Sequence, residues 1–229
     1  RSSKVHGSFR AKIRNRHALC GVQFIVKSPF IDKDSRVEVL TPTGFDPRKR
    51  YPVLYILNEY PGSGGQNGGF QEAADLKVND AYQVICVSAG YPSMPWYANH
   101  PSDSKLQQES FFIKAVVPLI DAKYPTIHEA KGRFLIGYSK AGFGAFTLLL
   151  RHPNLFKKAA AWDAPLTLEK PNRWDMAAVF GTEENYGQYS PSRLFREKAD
   201  LFKGGPARFV LLGYGLFGAE TQGAHELMT

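Results

Sequence analysis

The stretch 133–147, Arg-Phe-Leu-Ile-Gly-Tyr-Ser-Lys-Ala-Gly-Phe-Gly-Ala-Phe-Thr, limits the possible folds more than any other part of the sequence. It begins with an apolar run typical of a buried strand, continues through small residues that flank Ser139, and ends in an apolar segment that favours a helix. A strand, a sharp turn and a helix in this order are the setting of a G-x-S-x-G nucleophile elbow. In such a turn the serine backbone is strained, and small neighbours let the strand and the helix approach each other.

The motif departs from its ideal form in one place, because Ala141 stands where glycine is usual and Gly142 follows it. Alanine is still small, so we interpret Ser139 as a candidate nucleophile. The next N–H, that of Lys140, would then serve with the helix N-terminus as a donor to an oxyanion. The alternative interpretation is a glycine-rich strand-to-helix turn in an ordinary α/β protein that happens to contain a serine.

Apolar runs alternate with helical patterns along the rest of the sequence. Further strands are predicted at 22–27, 36–40, 52–57, 83–88, 158–162 and 208–212, and helices at 70–78, 104–123, 172–180, 191–202 and 219–228. Pro118 predicts a kink within its helix. The alternation predicts an α/β fold with a mostly parallel, doubly wound sheet flanked by helices. We expect one domain over 1–229, with a polar N-terminal extension over 1–20.

Ligands of such sheets bind beyond the carboxyl ends of the strands. Three loops of this sequence would lie there, at 58–69, 90–102 and 163–174. The second loop contains Trp96, Tyr97 and His100, which we take as candidate substrate-binding residues. Aromatic rings suit stacking on a sugar or phenolic ring, and they suit packing equally well. For His100 the alternative is a solvent-exposed loop histidine.

The 229 residues carry a formal net charge of +8, which is dispersed apart from clusters at 10–16 and 48–50. No nucleic-acid motif accompanies these clusters, so we interpret them as solvated surface and expect no nucleic-acid partner. Cys20 and Cys86 are too few for a disulfide framework or a zinc site, and the apolar run around Cys86 predicts a buried free thiol. No metal-ligand spacing or nucleotide fingerprint occurs, so we expect no metal and no cofactor.

The sequence has no apolar stretch long enough for a transmembrane helix and no visible signal peptide. It begins at Arg1 without a methionine, so the compartment stays open, with a secreted or periplasmic location favoured over a cytoplasmic one. The oligomeric state is not predicted.

Four segments stand out together: Tyr51–Leu57 with the glycine-rich loop after it, Val117–Asp121 with Tyr124, Gly137–Ala145, and Arg151–Phe156. In this combination the chain resembles the "putative esterase" family of α/β-hydrolases, over roughly residues 36–228. That family includes S-formylglutathione hydrolases, feruloyl and acetylxylan esterases, enterochelin esterases and mycolyltransferases. The resemblance implies the α/β-hydrolase fold and a serine hydrolase in which Ser139 attacks an ester carbonyl to form an acyl-enzyme.

The resemblance also implies an oxyanion hole built from the N–H of Lys140 and one N–H of the loop after strand 52–57, at Glu59 or Tyr60. The family usually has His-Gly after that strand, where this chain has Asn58 and Glu59. The family often has methionine where this chain has Lys140. We interpret Lys140 either as a solvent-facing helix residue or as a charge that favours an anionic substrate.

The catalytic triad of this fold runs in the order serine, acid, histidine. Asp163, at the end of a strand, and Glu220, in the loop after the last strand, are the candidate acids, and both stay open. After Ser139 the sequence contains His152, interpreted as structural, and His225, the candidate base.

The family's histidine comes later than His225, in a loop after a further strand. That strand and the closing helix are missing before Thr229, the last residue of the sequence. We therefore expect a chain cut at its C-terminus, with the true triad histidine beyond Thr229.

The sequence therefore predicts a serine carboxylic-ester hydrolase acting on an acyl ester of a sugar or another small alcohol. The incomplete triad leaves a second hypothesis, a non-catalytic α/β-hydrolase-like domain that binds a ligand in the same cleft. A weaker alternative is an acyltransferase on the same scaffold, because water and an alcohol compete for one acyl-enzyme.

Overall fold

The computed structural model describes residues 10–11, 21–62, 69–213 and 215–228. Most of the predicted N-terminal extension, including Cys20 and two of the histidines, therefore lies outside the described residues. So does the middle of the predicted glycine-rich loop, residues 63–68. Thr229 is outside them as well, so the expectation of a triad histidine beyond Thr229 stays a prediction.

In the described part of the chain, eight strands form a single mixed sheet. They are β1 (Arg10–Ala11), β2 (Val22–Val26), β3 (Ser35–Leu40), β4 (Val53–Ile56), β5 (Ile85–Ala89), β6 (Arg133–Tyr138), β7 (Lys158–Trp162) and β8 (Phe209–Leu212). Their order is β1-β2-β3-β5-β4-β6-β7-β8. Pairing is antiparallel from β1 through β3 to β5 and parallel from β5 through β4, β6 and β7 to β8. The predicted mostly parallel sheet is confirmed.

The α-helices of the described residues are α1 (Phe70–Asp75), α2 (Val78–Ala81), α3 (Gln108–Phe111), α4 (Val117–Lys123), α5 (Lys140–Arg151), α6 (Met176–Phe180), α7 (Glu183–Gly187), α8 (Pro191–Lys198) and α9 (Gly218–Met228). A π-helical segment, Phe112–Val116, joins α3 to α4, and short 3-10 turns occupy Ala130–Gly132 and Ala199–Leu201. Among these described helices, none combines the length and the apolar character that a membrane crossing needs.

One predicted helix begins later than expected. The helix predicted over 172–180 begins only at Met176, because Trp174 and Asp175 before it have φ values of 49° and 60°, which do not fit a right-handed helix.

Two other predicted helices differ from the observed ones for local reasons. The helix expected over 104–123 begins only at Gln108, because a turn precedes it in which His100 Nδ1 accepts the N–H of Asp103 at 3.0 Å. Within that helix the π-helical segment lies just before Pro118, where the proline ring has no N–H to donate to the preceding turn. The helix expected over 70–78 is divided at Lys77, whose φ of 51° does not fit a right-handed helix.

The sheet and α5 together place Ser139. Every residue of β5 is buried, as the apolar run predicts, and Cys86 within it is a buried free thiol whose pKa burial raises to about 12. Helix α5 is buried along 140–150 and packs on β6 and β7. Because α5 follows β6 directly, its amino end lies at the carboxyl end of the parallel strands, where such sheets bind ligands.

A buried carboxylate joins α3 to the far end of α5. Glu109 is 5% exposed and accepts hydrogen bonds from Arg151 Nε at 2.6 Å and from Tyr189 OH at 2.9 Å. The Nε2 atom of His152 lies 2.8 Å from the same carboxylate, which supports the structural interpretation of that histidine. Burial by itself raises the pKa of Glu109, but the contacts from His152, Arg151 and Tyr189 outweigh it and lower the pKa to about 2.

Lowering the pH should reduce the free energy of unfolding, because Glu109 becomes protonated. A carboxyl group with a lowered folded-state pKa stabilises the protein above its unfolded pKa, and this stability is lost as the pH falls towards the folded value. From this residue we expect a loss of about 1.4 kcal/mol per pH unit between the reference pKa of 4.5 and about pH 2. Urea unfolding of wild type and of Glu109→Gln at about pH 5.5 and pH 3.5 measures the difference.

Glu129→Gln is the matched control, because the Glu129 carboxylate is 68% exposed and should leave the wild-type pH dependence unchanged. The same pH dependence of the unfolding free energy in wild type and in Glu109→Gln would contradict this assignment.

Candidate active site

Ser139 lies at the turn between β6 and α5, as predicted. Its φ of 52° and ψ of −123° lie outside the regions that L-residues ordinarily occupy, so the turn is strained. Sheet and helix hold it there: the N–H of Ser139 donates to the carbonyl of Trp162 at 3.1 Å, and its own carbonyl accepts the N–H of Gly142 at 2.9 Å. Ser139 is half-buried, beside the first N–H groups of α5, which have no partner within the helix.

Three glycines permit close packing at this turn and along the first part of α5. A Cβ atom on Gly137 would overlap the backbone of Ala141, which is the fifth position of the motif. A Cβ on Gly142 would come within 2.7 Å of the Ala164 side chain, and one on Gly144 would overlap the ring of Tyr97. The small residues that the sequence analysis singled out are therefore required by the packing of this turn.

The loop after β4 is anchored at both of its described ends. The Asn58 side chain donates to the Ala89 carbonyl at 2.9 Å and accepts from Ser88 Oγ at 2.7 Å. At the other end the N–H of Gly62 donates to the carbonyl of Tyr91 at 2.8 Å. Asn58 is 2% exposed, so the residue that replaces the family's histidine has a structural role.

Lys140 contacts the middle of this loop. Its Nζ atom lies 3.4 Å from Glu59 Oε1 and 4.4 Å from the centre of the Tyr60 ring. The Lys140 side chain is only 6% exposed, and that of Glu59 is 14% exposed. The solvent-facing interpretation of Lys140 is therefore wrong. The ammonium also has a carboxylate partner, which removes most of its excess charge and weakens the case for an anionic substrate.

Asp163 is the candidate acid that lies at the elbow. Tyr138 pairs with Trp162 in the β6–β7 register, so Ser139 and Asp163 follow adjacent strands at the same level. Asp163 is 5% exposed with a φ of 45°, and its carboxylate accepts the N–H of Phe217 at 2.6 Å and that of Leu216 at 3.2 Å. This carboxylate therefore holds the loop after β8 against the elbow.

The pKa of Tyr138 reflects the charged groups around the elbow. Burial raises the pKa of Tyr138, and the carboxylates of Asp163 and Glu59, with the Tyr60 ring, raise it further. Tyr138, Trp162 and Glu59 also line an otherwise largely apolar cavity of about 470 Å³ on the adjoining part of the sheet. The elbow, the loop after β4 and Asp163 thus form one cluster at the carboxyl edge of the sheet.

Glu220 is placed differently from the prediction. It lies in the first turn of α9 instead of in a loop, and its Oε2 accepts the N–H of Thr167 at 2.9 Å. The helix predicted over 219–228 already contained this position, and α9 begins one residue earlier, at Gly218, directly after the residues held by Asp163. The carboxylate thereby ties α9 to the segment after β7, and of the two candidate acids Asp163 is the one beside the elbow.

The four histidines of the described residues lie away from Ser139. His128 Nε2 is 3.5 Å from Arg50, and His152 contacts the buried carboxylate of Glu109. His225 lines a cavity together with Phe209, at the amino end of β8, whereas Ser139 follows the carboxyl end of the parallel strand β6. The structure therefore corrects the prediction that His225 acts as the base.

The predicted substrate-binding residues also differ from expectation. Trp96 is 0% exposed and donates through Nε1 to the Trp174 carbonyl at 2.9 Å, and Tyr97 is 1% exposed. Neither ring is available to a substrate, because both pack inside the helical layer. His100 accepts two backbone N–H groups of its own turn at Nδ1, which gives it a local structural role.

Tyr97 has a function in the site that sequence reasoning missed. Its hydroxyl donates to the Asn58 carbonyl at 3.0 Å, so a residue predicted to contact substrate supports the loop after β4 instead. The pairing of Lys140 with Glu59 was missed as well. The sequence did contain a signal for this pairing. Lys140 and Glu59, where the family resemblance places the oxyanion donors, carry opposite charges. No group of three or more potential metal ligands occurs among the residues with described positions.

Comparison with known proteins agrees with this geometry. A family model described as "Putative esterase" matches residues 28–207. Two curated proteins of Mycobacterium tuberculosis, Esterase MT1326 of strain CDC 1551 / Oshkosh and Esterase Rv1288 of strain ATCC 25618 / H37Rv, are each 29% identical to the chain over 140 residues. The match covers 58% of this chain and 30% of each relative, so the chain spans less than a third of their length.

Solved structures with a similar fold include a ferulic acid esterase, with a TM-score of 0.65, 21% identity, and coverage of 91% of this chain and 95% of that one. An S-formylglutathione hydrolase from Agrobacterium tumefaciens has a TM-score of 0.62, 16% identity, and coverage of 87% and 88%. MPT51 (FbpC1) of Mycobacterium tuberculosis has a TM-score of 0.63, 18% identity, and coverage of 92% and 82%. At these identities the likeness establishes the α/β-hydrolase fold.

The elbow should not tolerate a methyl group at Gly137. In Gly137→Ala the new Cβ overlaps backbone atoms of α5, which cannot rotate away as a side chain can. We expect a loss of about 1–3 kcal/mol in the free energy of unfolding, measured by thermal or urea denaturation. Gly218→Ala is the control, because a Cβ there meets nothing within 4 Å. Equal stability of the two variants would contradict the tight contact.

Proposed function

The chain belongs to the "Putative esterase" family, and on that premise we propose that it hydrolyses carboxylic esters through an acyl-enzyme on Ser139. The observation that carries the proposal is the strained backbone of Ser139, at a φ of 52°, between a parallel strand and a helix N-terminus. Strain of this kind is retained at sites of chemistry, because it presents a side chain that an unstrained turn would hold elsewhere.

The proposed reaction begins when Ser139 Oγ attacks the ester carbonyl carbon while its proton passes to a base. The carbonyl oxygen becomes an oxyanion, which accepts the N–H of Lys140 and that of Glu59 or Tyr60. Collapse of this intermediate breaks the ester bond and leaves the acyl group on Ser139 Oγ, while the base gives the proton to the departing oxygen and the alcohol is released. Water then attacks the acyl-enzyme and releases the acid.

Asp163 is the acid that we assign to the site. Its carboxylate follows the strand next to that of Ser139, and two backbone N–H groups hold it in place. Glu220, on α9, instead contacts Thr167 in the segment after β7, which favours Asp163 over Glu220 for this role. An acid at the elbow stabilises positive charge on a base that has accepted the serine proton.

The substrate proposal is an acyl ester of a sugar or another small alcohol. The curated relatives are named esterases, and the structural neighbours include a ferulic acid esterase and an S-formylglutathione hydrolase. These names support ester chemistry. They leave the acyl group and the alcohol to be determined by a panel of esters.

A second candidate function is a domain that binds a ligand at the elbow without cleaving it. The observation that favours it is the placement of all four described histidines away from Ser139. A fluorophosphonate probe separates the two functions, because it modifies only an activated serine. Covalent labelling of Ser139 in the purified full-length protein would exclude the binding-only function, and an unlabelled protein without turnover would support it.

Ser139→Ala should abolish turnover of p-nitrophenyl acetate, because it removes the atom that carries the acyl group. Ser104→Ala is the control, since Ser104 is an exposed loop serine and should keep wild-type kcat. Initial rates of p-nitrophenol release measure both. Equal rates for wild type and Ser139→Ala would overturn the nucleophile assignment.

Asp163→Asn and Glu220→Gln should separate the two candidate acids. Both variants replace a charged acceptor of backbone N–H groups by a neutral amide oxygen, which accepts more weakly, so both should melt at lower temperature. We expect kcat to fall by about 10²-fold or more for Asp163→Asn, and to stay near wild type for Glu220→Gln. Steady-state kinetics below both melting temperatures provide the measurement. A larger loss of kcat in Glu220→Gln would reverse the assignment.

A further inference from the structure

We propose that the Lys140–Glu59 ion pair is a clasp that fixes the spacing of the two oxyanion donors, which makes the Lys140 side chain a positioning residue. The inference rests on the proposed function, because it assigns a role to the pair only if an oxyanion forms at Ser139. It extends that function by giving a task to side chains whose backbone N–H groups are the assigned donors.

The two donors belong to separate elements of the fold. Lys140 opens α5, whereas Glu59 and Tyr60 lie in the loop after β4. No covalent geometry fixes the distance between their N–H groups, so tertiary contacts must set it. Donors stabilise a developing oxyanion only when both lie within hydrogen-bonding distance of one atom, and displacements well below 1 Å weaken that stabilisation.

The loop is anchored at Asn58 and at Gly62, and the donor positions lie between these anchors. Lys140 contacts this intervening part twice, through the 3.4 Å approach of Nζ to Glu59 Oε1 and through its position 4.4 Å from the Tyr60 ring centre. One side chain therefore touches both candidate donors of the loop while its own N–H is the donor of the helix.

Burial strengthens the attraction between Lys140 and Glu59. The side chains of Lys140 and Glu59 are 6% and 14% exposed, so water screens their attraction far less than at the surface. A buried pair contributes little net stability, because desolvation offsets the attraction, but it specifies one geometry. The charge of Lys140 beside Ser139 is thus balanced by Glu59 within the protein, and the clasp requires no anionic substrate.

The test compares Lys140→Met, Glu59→Gln and the double variant with wild type, below the melting temperature of the least stable variant, because loss of one partner of a buried pair also destabilises the fold. We expect each single substitution to lower kcat by about 10-fold with little change in KM, because the donors act on the transition state. We expect the double variant to be no worse than the poorer single variant, since both remove one contact. Lys140→Arg keeps the charge and should recover most of kcat.

Lys198→Met is the matched control for loss of a half-buried ammonium. Lys198 Nζ donates to the Leu150 carbonyl at 2.9 Å, at the other end of α5 from the site, so kcat should stay at the wild-type value. A kcat of Lys140→Met equal to that of Lys198→Met would overturn the proposal. So would a rise in KM at unchanged kcat, which indicates a contact with substrate, or losses in the single variants that multiply in the double variant.

Hydrogen exchange at the backbone amide of Gly62, which donates to the Tyr91 carbonyl at the end of this loop, tests the clasp independently of turnover. Lys140→Met should exchange faster there than wild type and Lys198→Met, and unchanged exchange would overturn the clasp. Equal turnover of wild type and Ser139→Ala would instead overturn the proposed function and the positioning role with it. The two failures are therefore distinguishable.

Discussion

The contact between the end of β6 and the start of α5 constrains the rest of the structure. Gly137 and Ala141 approach so closely that one added methyl group overlaps backbone atoms, and Ser139 between them takes a strained conformation. Such strain persists only where surrounding contacts over-determine it. Here the sheet contributes the hydrogen bond from the Ser139 N–H to the Trp162 carbonyl. Packing along the buried length of α5 contributes the other contacts that hold the turn.

Charged groups are buried around this turn, and each has a partner. The Asp163 carboxylate holds the backbone of the loop after β8, while the Lys140 ammonium joins the loop after β4. Because both contacts converge on the elbow, the loops from three parallel strands are tied together at one point. Buried polar contacts therefore fix the tertiary structure at this edge of the sheet.

The order of strands and helices was predictable from the sequence because buried parallel strands and a strand–turn–helix motif have strong local patterns. The elbow at Ser139 was predictable for the same reason. What local pattern could not determine was the direction of single side chains. Trp96 and Tyr97 are compatible with both a pocket and a core, and only the glycine at position 144 makes room for the Tyr97 ring. Glu220 stands at the start of the helix predicted over 219–228, but the sequence could not show that its carboxylate accepts the Thr167 N–H.

The pairing of Lys140 with Glu59 has a consequence for divergence among related sequences. These positions are 81 residues apart in the chain, yet each buries a charge that only the other neutralises among the contacts described. Losing one partner of a buried pair costs about 3–5 kcal/mol, whereas replacing both together is often neutral. Homologues should therefore carry both charges or neither, and lineages that exchange one state for the other must pass through an unstable intermediate. Positions 59 and 140 are expected to co-vary.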